Sequence, residues 1–170
     1  MIFLFEIDRK SIAESSGASK RAVDRALKRM WEEVGKYWQE HMLPRHFERG
    51  AAGRYGYQPR SKKHKQRKAR SFRKGVAQAP DIDLLMTGRS RADLSRPAAI
   101  RAYPTRFSLT MRADRSYFSM RPYKSRHPAM GEEVTRVTPQ ENAELARLAQ
   151  ERLPILLEEE NSRTRTRKRL

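Results

Sequence analysis

Four histidines, His41, His46, His64 and His127, are the side chains best suited to proton transfer or metal ligation in this sequence. His41 and His46 are five apart, straddle Pro44 and have no acidic partner at ligand spacing. A metal centre needs a clustered, oriented ligand set, so none is expected. His64 lies among cations, where a solvated or phosphate-facing role is expected. The paired carboxylates Glu32–Glu33, Glu132–Glu133 and Glu158–Glu160 offer no general base beside a nucleophile. The first and last of these pairs read as solvated helix faces with partners one turn away. There is no cysteine, which excludes a disulfide framework, a thiolate zinc site and a cysteine nucleophile. Gly53-Arg54-Tyr55-Gly56 lacks the spacing of a phosphate-cradling loop. The expectation is a protein that is not an enzyme, with no catalytic residue, metal ligand or cofactor.

What remains for chemistry is positive charge. The 170 residues carry 38 Lys and Arg against 20 Asp and Glu, a net charge of +18. Residues 54–74 hold ten cations and no acid, and residues 163–170 hold five cations and no acid, which leaves +3 for the rest. Charge concentrated in two segments points to arms that reach a polyanion or an acidic partner surface. Tyr55, Tyr57 and Phe72 interleave with the first set, and aromatic rings can stack on or pack against a partner. The candidate contact residues are therefore Arg54, Tyr55, Tyr57, Arg60, Lys62, Lys63, Lys65, Arg67, Lys68 and Arg70, with Arg163, Arg165 and Arg167 in the second segment. Charge alone leaves two kinds of anion open, a nucleic-acid backbone and an acidic protein surface.

The elements that must position these residues follow from periodicity. Residues 2–7 read as a strand, and residues 8–19 as a polar stretch of turn and cap residues. Val23, Ala26, Leu27, Met30, Trp31, Val34, Tyr37, Trp38, His41 and Met42 recur at three- and four-residue steps, which predicts a helix over about 20–43, capped by Ser19 and stopped by Pro44. Residues 45–80 read as a long irregular loop punctuated by Gly and Pro, with part of 62–73 able to form a short helix. A buried turn is expected at Thr87-Gly88, followed by a short helix. Residues 98–103 and 106–112 read as a β-hairpin turned at Pro104-Thr105, with a third strand over 116–121. Thr138-Pro139-Gln140-Glu141 is a capping box that opens a last helix, which Pro154 should kink or end.

The expected fold class is α+β, a small antiparallel sheet packed against a long N-terminal helix and a C-terminal helix, with a long basic loop. Residues 1–160 read as one domain that includes the basic loop 45–80, and residues 161–170 as a basic tail. Trp31, Trp38, Phe107, Leu109 and Leu148 are the expected core. No stretch approaches a membrane span, and the apolar start is too short for a signal-peptide core. No membrane partner is expected.

Two resemblances carry functional meaning. Residues 12–27, from Ile12-Ala13-Glu14 through Gly17 to Ala26-Leu27, resemble the helix-turn-helix of bacterial repressors, which implies a DNA-binding regulator. Against it, the second helix continues to Pro44 with an unbroken apolar stripe, as a core helix does.

The wider resemblance is to tailed-phage virion morphogenesis proteins. It rests on Arg54-Tyr55-Gly56-Tyr57-Gln58-Pro59-Arg60-Ser61, on Lys65-Gln66-Arg67-Lys68, on Leu84-Leu85-Met86-Thr87-Gly88-Arg89-Ser90, and on His127-Pro128-Ala129-Met130-Gly131-Glu132-Glu133-Val134-Thr135 leading into Thr138-Pro139. It spans roughly residues 20–157. The resemblance implies a non-enzymatic virion component of the head–tail connector (neck), minor tail or tail-completion class. Such a subunit forms a homo-oligomeric ring at the head–tail interface, after assembly in the host cytoplasm. Its implied partners are portal, adaptor and tail proteins, with non-specific contact to the double-stranded DNA that passes through. A ribosome-like, RNA-associated basic protein is a further reading that long basic arms permit.

Overall fold

The computed structural model describes residues 2–3, 8–75, 89–94, 99–104, 106–110 and 130–167, with only the backbone described at 2–3, 89–90, 93, 99–100, 106–110, 130, 165 and 167. Its contacts divide the chain into two compact units. The first comprises Met1–Trp38, Ala99–Thr110 and Gln140–Leu170, and the second Gln39–Ala98 and Met111–Pro139.

In the first unit, Asp8 caps helix α1 (Arg9–Ser16) by accepting from the backbone N–H groups of Lys10 and Ser11. Gly17 ends it at φ +62°, a left-handed conformation that a side chain would strain. Ser19 then caps α2 (Lys20–Tyr37), its Oγ accepting from the Ala22 N–H at 3.2 Å. The apolar stripe of α2 is the core: Val23, Ala26, Leu27, Met30, Trp31 and Val34 are all within 1% of full burial. Strands β1 (Ile2–Phe3), β2 (Ala99–Tyr103) and β3 (Arg106–Thr110) pair antiparallel in the order β1–β3–β2, with Arg101 opposite Ser108 and Ile2 opposite Ser108 from the other side. Helix α1 and the β2–β3 hairpin both lie against α2.

In the second unit the chain continues from α2 through a π-helical turn (Trp38–Met42) and a 3-10 turn (Leu43–Phe47), rather than stopping at Pro44. Proline lacks the N–H that an α-helix needs there, and the wider and then tighter turns accommodate that loss. Trp38, Met42, Leu43 and Phe47 are buried, whereas His41, expected on the stripe, is exposed. Three helices follow: α3 (Ala51–Arg54), α4 (Lys62–Arg73) and α5 (Arg89–Leu94). Leu94 is buried, and its carbonyl accepts from Gln39 Nε2 at 3.4 Å. A short α6 (Met130–Val134) closes the unit.

The last helix, α7 (Pro139–Arg167), begins at the proline of the expected capping box and runs 29 residues without ending at Pro154. Leu145, Leu156 and Leu157 are buried, while Leu148 is only half-buried. Residues 161–167, read from sequence as the start of a tail, are the last turns of this helix.

The α+β expectation is overturned, because the described residues are mostly helical. The strands are one of two residues and two of five. Stretches that read as polar loop, 9–16 and 51–54, are helix instead, and 62–73, where part was expected to form a short helix, is helical throughout. Lys, Arg, Gln and Ala form helix well, and Asp8 and Ser61 supply the caps that start two of these segments. The Thr87-Gly88 turn, the third strand at 116–121 and the side chains of Phe107 and Leu109 lie outside the described residues.

Candidate polyanion interface

Helix α4 carries seven cations and no acid in its 12 residues. Ser61 starts it, with Oγ accepting from the His64 N–H at 3.2 Å, and Gly75 turns the chain away at φ +71°. Residues 61–67 are exposed around the whole girth of the helix. Lys68 is the one α4 residue that is buried, at 3% exposure. An open groove follows Lys63, Gln66, Arg67, Arg70, Ser71, Arg73 and Lys74. These positions recur at three- and four-residue steps, so they form one ridge about 16 Å long at 1.5 Å per residue. Among the described residues, Lys62, Lys63, Lys65, Arg67, Arg70, Arg73 and Lys74 make no ion pair, and none of the acids lies on this helix.

That arrangement is electrostatically unfavourable on its own. Lys63 and Arg67, and Arg70 and Lys74, are like charges one turn apart, each pair opposing the helix by about 0.2–0.5 kcal/mol. Lys62 and Lys63 sit in the first turn, where the helix dipole disfavours cations by roughly 0.3–1 kcal/mol each at low salt. Neutralising the ridge removes this repulsion, so a bound polyanion stabilises the helix that binds it.

The structure separates the expected contact residues into groups. Lys62, Lys63, Lys65, Arg67 and Arg70 stand exposed on α4. Tyr55 and Tyr57 do not face solvent: they are 5% and 6% exposed and stack with the buried His46, with ring centroids 3.7 Å apart for His46 and Tyr55. Tyr57 Oη also contacts His46 Nδ1. They are packing residues and cannot stack on bases. Arg60 reaches Glu133, whose side chain is fully buried and whose Oε1 accepts from the Gln58 N–H at 3.4 Å. Arg136 donates to the Tyr55 and Gly56 carbonyls. Together these contacts hold the segment that leads into α4. Arg54 pairs with Glu48 at 3.3 Å, and Lys68 is removed from the surface by burial. Arg163 is exposed on α7 but bound to Glu160, and the side chains of Arg165 and Arg167 lie outside the described residues. Gln66, Ser71, Arg73 and Lys74 were not among the expected contacts. Helical periodicity applied from Lys63 onward in steps of three and four would have reached all four of them.

A second charged cluster joins α2 to α7 within the first unit. The Glu160 carboxylate, 4% exposed, accepts from Arg25 Nε at 2.6 Å, Arg163 Nη1 at 3.0 Å and Arg29 Nη1 at 3.1 Å. Arg29 also pairs with Glu159 at 2.8 Å, and Arg152 with Glu33 at 2.5 Å. Burial pushes the Glu160 carboxyl up, but the hydrogen bonds from Arg25 and Arg29 and the charges of Arg25 and Arg163 outweigh it, so the group sits below its ordinary value of 4.5. A depressed carboxylate adds stability above its unfolded pKa and loses it as pH falls through the folded one. Thermal melts of wild type and Glu160→Gln are therefore expected to differ most at neutral pH and to converge below about pH 4. A constant difference across that range would refute the clamp.

Among the described residues no three His, Asp or Glu side chains form a metal-ligand group, and no helix is long and apolar enough to cross a membrane. Comparison of the chain with protein-family models, with curated proteins and with solved structures gives no match.

Proposed function

We propose that the chain is a non-enzymatic structural subunit of a tailed-phage virion, a head–tail joining or tail-completion component, that meets a polyanion through α4. The virion setting rests on the motifs quoted across roughly residues 20–157. The contact role rests on one observation: a 16-Å ridge, at about 1.5 Å per residue, of exposed cations that make no ion pair among the described residues. In this reading the subunits form a closed ring at the head–tail interface, and α4 faces the passing duplex or an acidic surface of a portal, adaptor or tail neighbour. Contact with DNA is through phosphates and carries no sequence information, which lets the duplex slide. Sedimentation or native mass measurement is expected to give one discrete oligomer of more than two copies, with equal affinity for unrelated duplexes. A dimer that selects one sequence overturns the proposal.

One observation favours the regulator reading as a second possibility. The segment before α2 is a capped eight-residue helix, followed by a left-handed Gly17 and the Ser19 cap, which is the local order of a helix-turn-helix. On α2 the residues left for base contact are few. Asp24 pairs with Arg9 at 3.4 Å and Arg25 is held by Glu160, leaving Lys20, Arg21 and Lys28 exposed. Sequence-selective binding lost on Arg21→Ala would establish this reading in place of the first.

A further inference from the structure

At the α2–α7 clamp, a concavity is lined by Arg25, Glu160, Ser162, Arg163, Thr164 and Thr166. The charges around it do not cancel. Three guanidiniums, Arg25, Arg29 and Arg163, meet two carboxylates, Glu159 and Glu160, which leaves one positive charge in excess. The Glu160 carboxylate is already fully engaged, with one oxygen taking Arg25 and the other shared by Arg29 and Arg163.

Donors remain after those bonds are made. Arg25 commits Nε to Glu160 and Nη2 to Thr164 Oγ1 at 3.1 Å, so its Nη1 group is uncommitted among the described residues. Among the described residues Arg163 commits only Nη1, which leaves Nε and Nη2. Both side chains keep solvent access, 46% for Arg25 and 65% for Arg163. The Thr164 and Thr166 hydroxyls donate back to the carbonyls of Glu160 and Ser162, so they shape the wall and offer no proton to a ligand. Ser162 Oγ makes no bond among the described residues and can donate. Two guanidinium edges and a hydroxyl, fixed by a buried carboxylate behind them, suit a tetrahedral oxyanion with several acceptor oxygens.

We infer that this concavity is a phosphate-type oxyanion site, built by Arg25 and Arg163 with Ser162 as a neutral donor. The site is separate from α4 and does not depend on the virion reading. Its ligand is either free phosphate or a phosphodiester of a nucleic-acid backbone, which present the same oxygens.

Calorimetric titration of inorganic phosphate into the full chain, at ionic strength held constant with chloride, tests it. Saturable binding is expected. Arg163→Gln should weaken it roughly tenfold, as for loss of one charge-assisted contact. Arg147→Gln makes the same charge change on the same helix away from the concavity and should leave binding unchanged. The same loss on Arg163→Gln is expected in a Lys63→Gln/Arg67→Gln background, which keeps this result apart from any role of α4. Displacement of phosphate by a short duplex, with the salt slope of DNA binding reduced by about one in Arg163→Gln, identifies the phosphodiester as the source. Saturable phosphate binding that the duplex does not displace identifies free phosphate. Non-saturable binding, or equal losses in Arg163→Gln and Arg147→Gln, overturns the site.

Discussion

A variant with Lys63, Arg67, Arg70 and Arg73 all replaced by glutamine is expected to fold as the wild type does and to lose most of its affinity for duplex DNA. All four side chains are exposed on α4, so no buried partner is orphaned by the change. Glutamine keeps helix propensity and length while removing charge, and it relieves the like-charge repulsion along the ridge. Unfolding midpoints should therefore be unchanged or slightly raised. Each phosphate contact contributes about 0.9 to the slope of log affinity against log salt. Losing four contacts should make that slope shallower by about 3.6, and lower affinity at low salt by on the order of 10² to 10⁴. Fluorescence anisotropy with a labelled duplex across a salt series reads both quantities. An unchanged slope would remove α4 from the DNA-contact role. Wild-type protein without measurable duplex affinity at low salt would move the ridge to an acidic protein face.

The second large effect lies beneath the helix. Glu133 is fully buried and Arg60 is 15% exposed, so their ion pair is removed from solvent on both sides. Removing one member of such a pair leaves the other charge buried and uncompensated, which costs about 3–5 kcal/mol. Glu133→Ala is expected to fall in that range in urea unfolding, a large part of the roughly 5–15 kcal/mol that holds a typical domain. Replacing both members with apolar residues, Arg60→Met/Glu133→Leu, should recover much of the loss, because no unpaired charge remains. If the double variant is as unstable as the single one, the pair is not an isolated charge couple, and the Gln58 N–H contact carries more of the stability. Arg60 was counted from sequence among the polyanion contacts. Its place against Glu133 makes it a support for the segment that leads into Ser61 and α4, so its substitution should change stability before it changes binding.

The contrast between Arg60 and Arg67 shows where reading the sequence stops. Both are arginines in one acid-free run, and composition treats them alike. What divides them is a glutamate 73 positions away from Arg60, which chain order does not reveal. Tyr55 and Tyr57 were misread in the same way, since aromatic residues among cations fit both a stacking platform and a small core. His46, on the far side of Gly50 and Gly53, decides for the core by packing against both. The fold class was misread for a different reason. Segments 9–16 and 62–73 lack an apolar stripe, and periodicity is silent where almost every side chain is polar. Their helicity comes instead from caps and propensity, which are weaker signals.

The features that local chemistry controls were legible from the chain alone. These are the acid-free cation run, the Trp31 stripe of α2, the Ser19 cap, the start of α7 at Pro139 and the short turn between β2 and β3. Each depends on residues within a few positions of one another. The tertiary structure decided which cations remain available, because that depends on where buried carboxylates lie. Glu133 takes Arg60, burial removes Lys68, and Glu160 fixes Arg25, Arg29 and Arg163 in place while Arg25 and Arg163 keep edges open to solvent. A charge is held by the nearest opposite charge in space, and for Arg60 and Arg25 that partner lies far along the chain. Of the two charged segments that stand out in the sequence, the first thus supplies one exposed ridge on α4, and in the second Arg163 is anchored by Glu160 on α7.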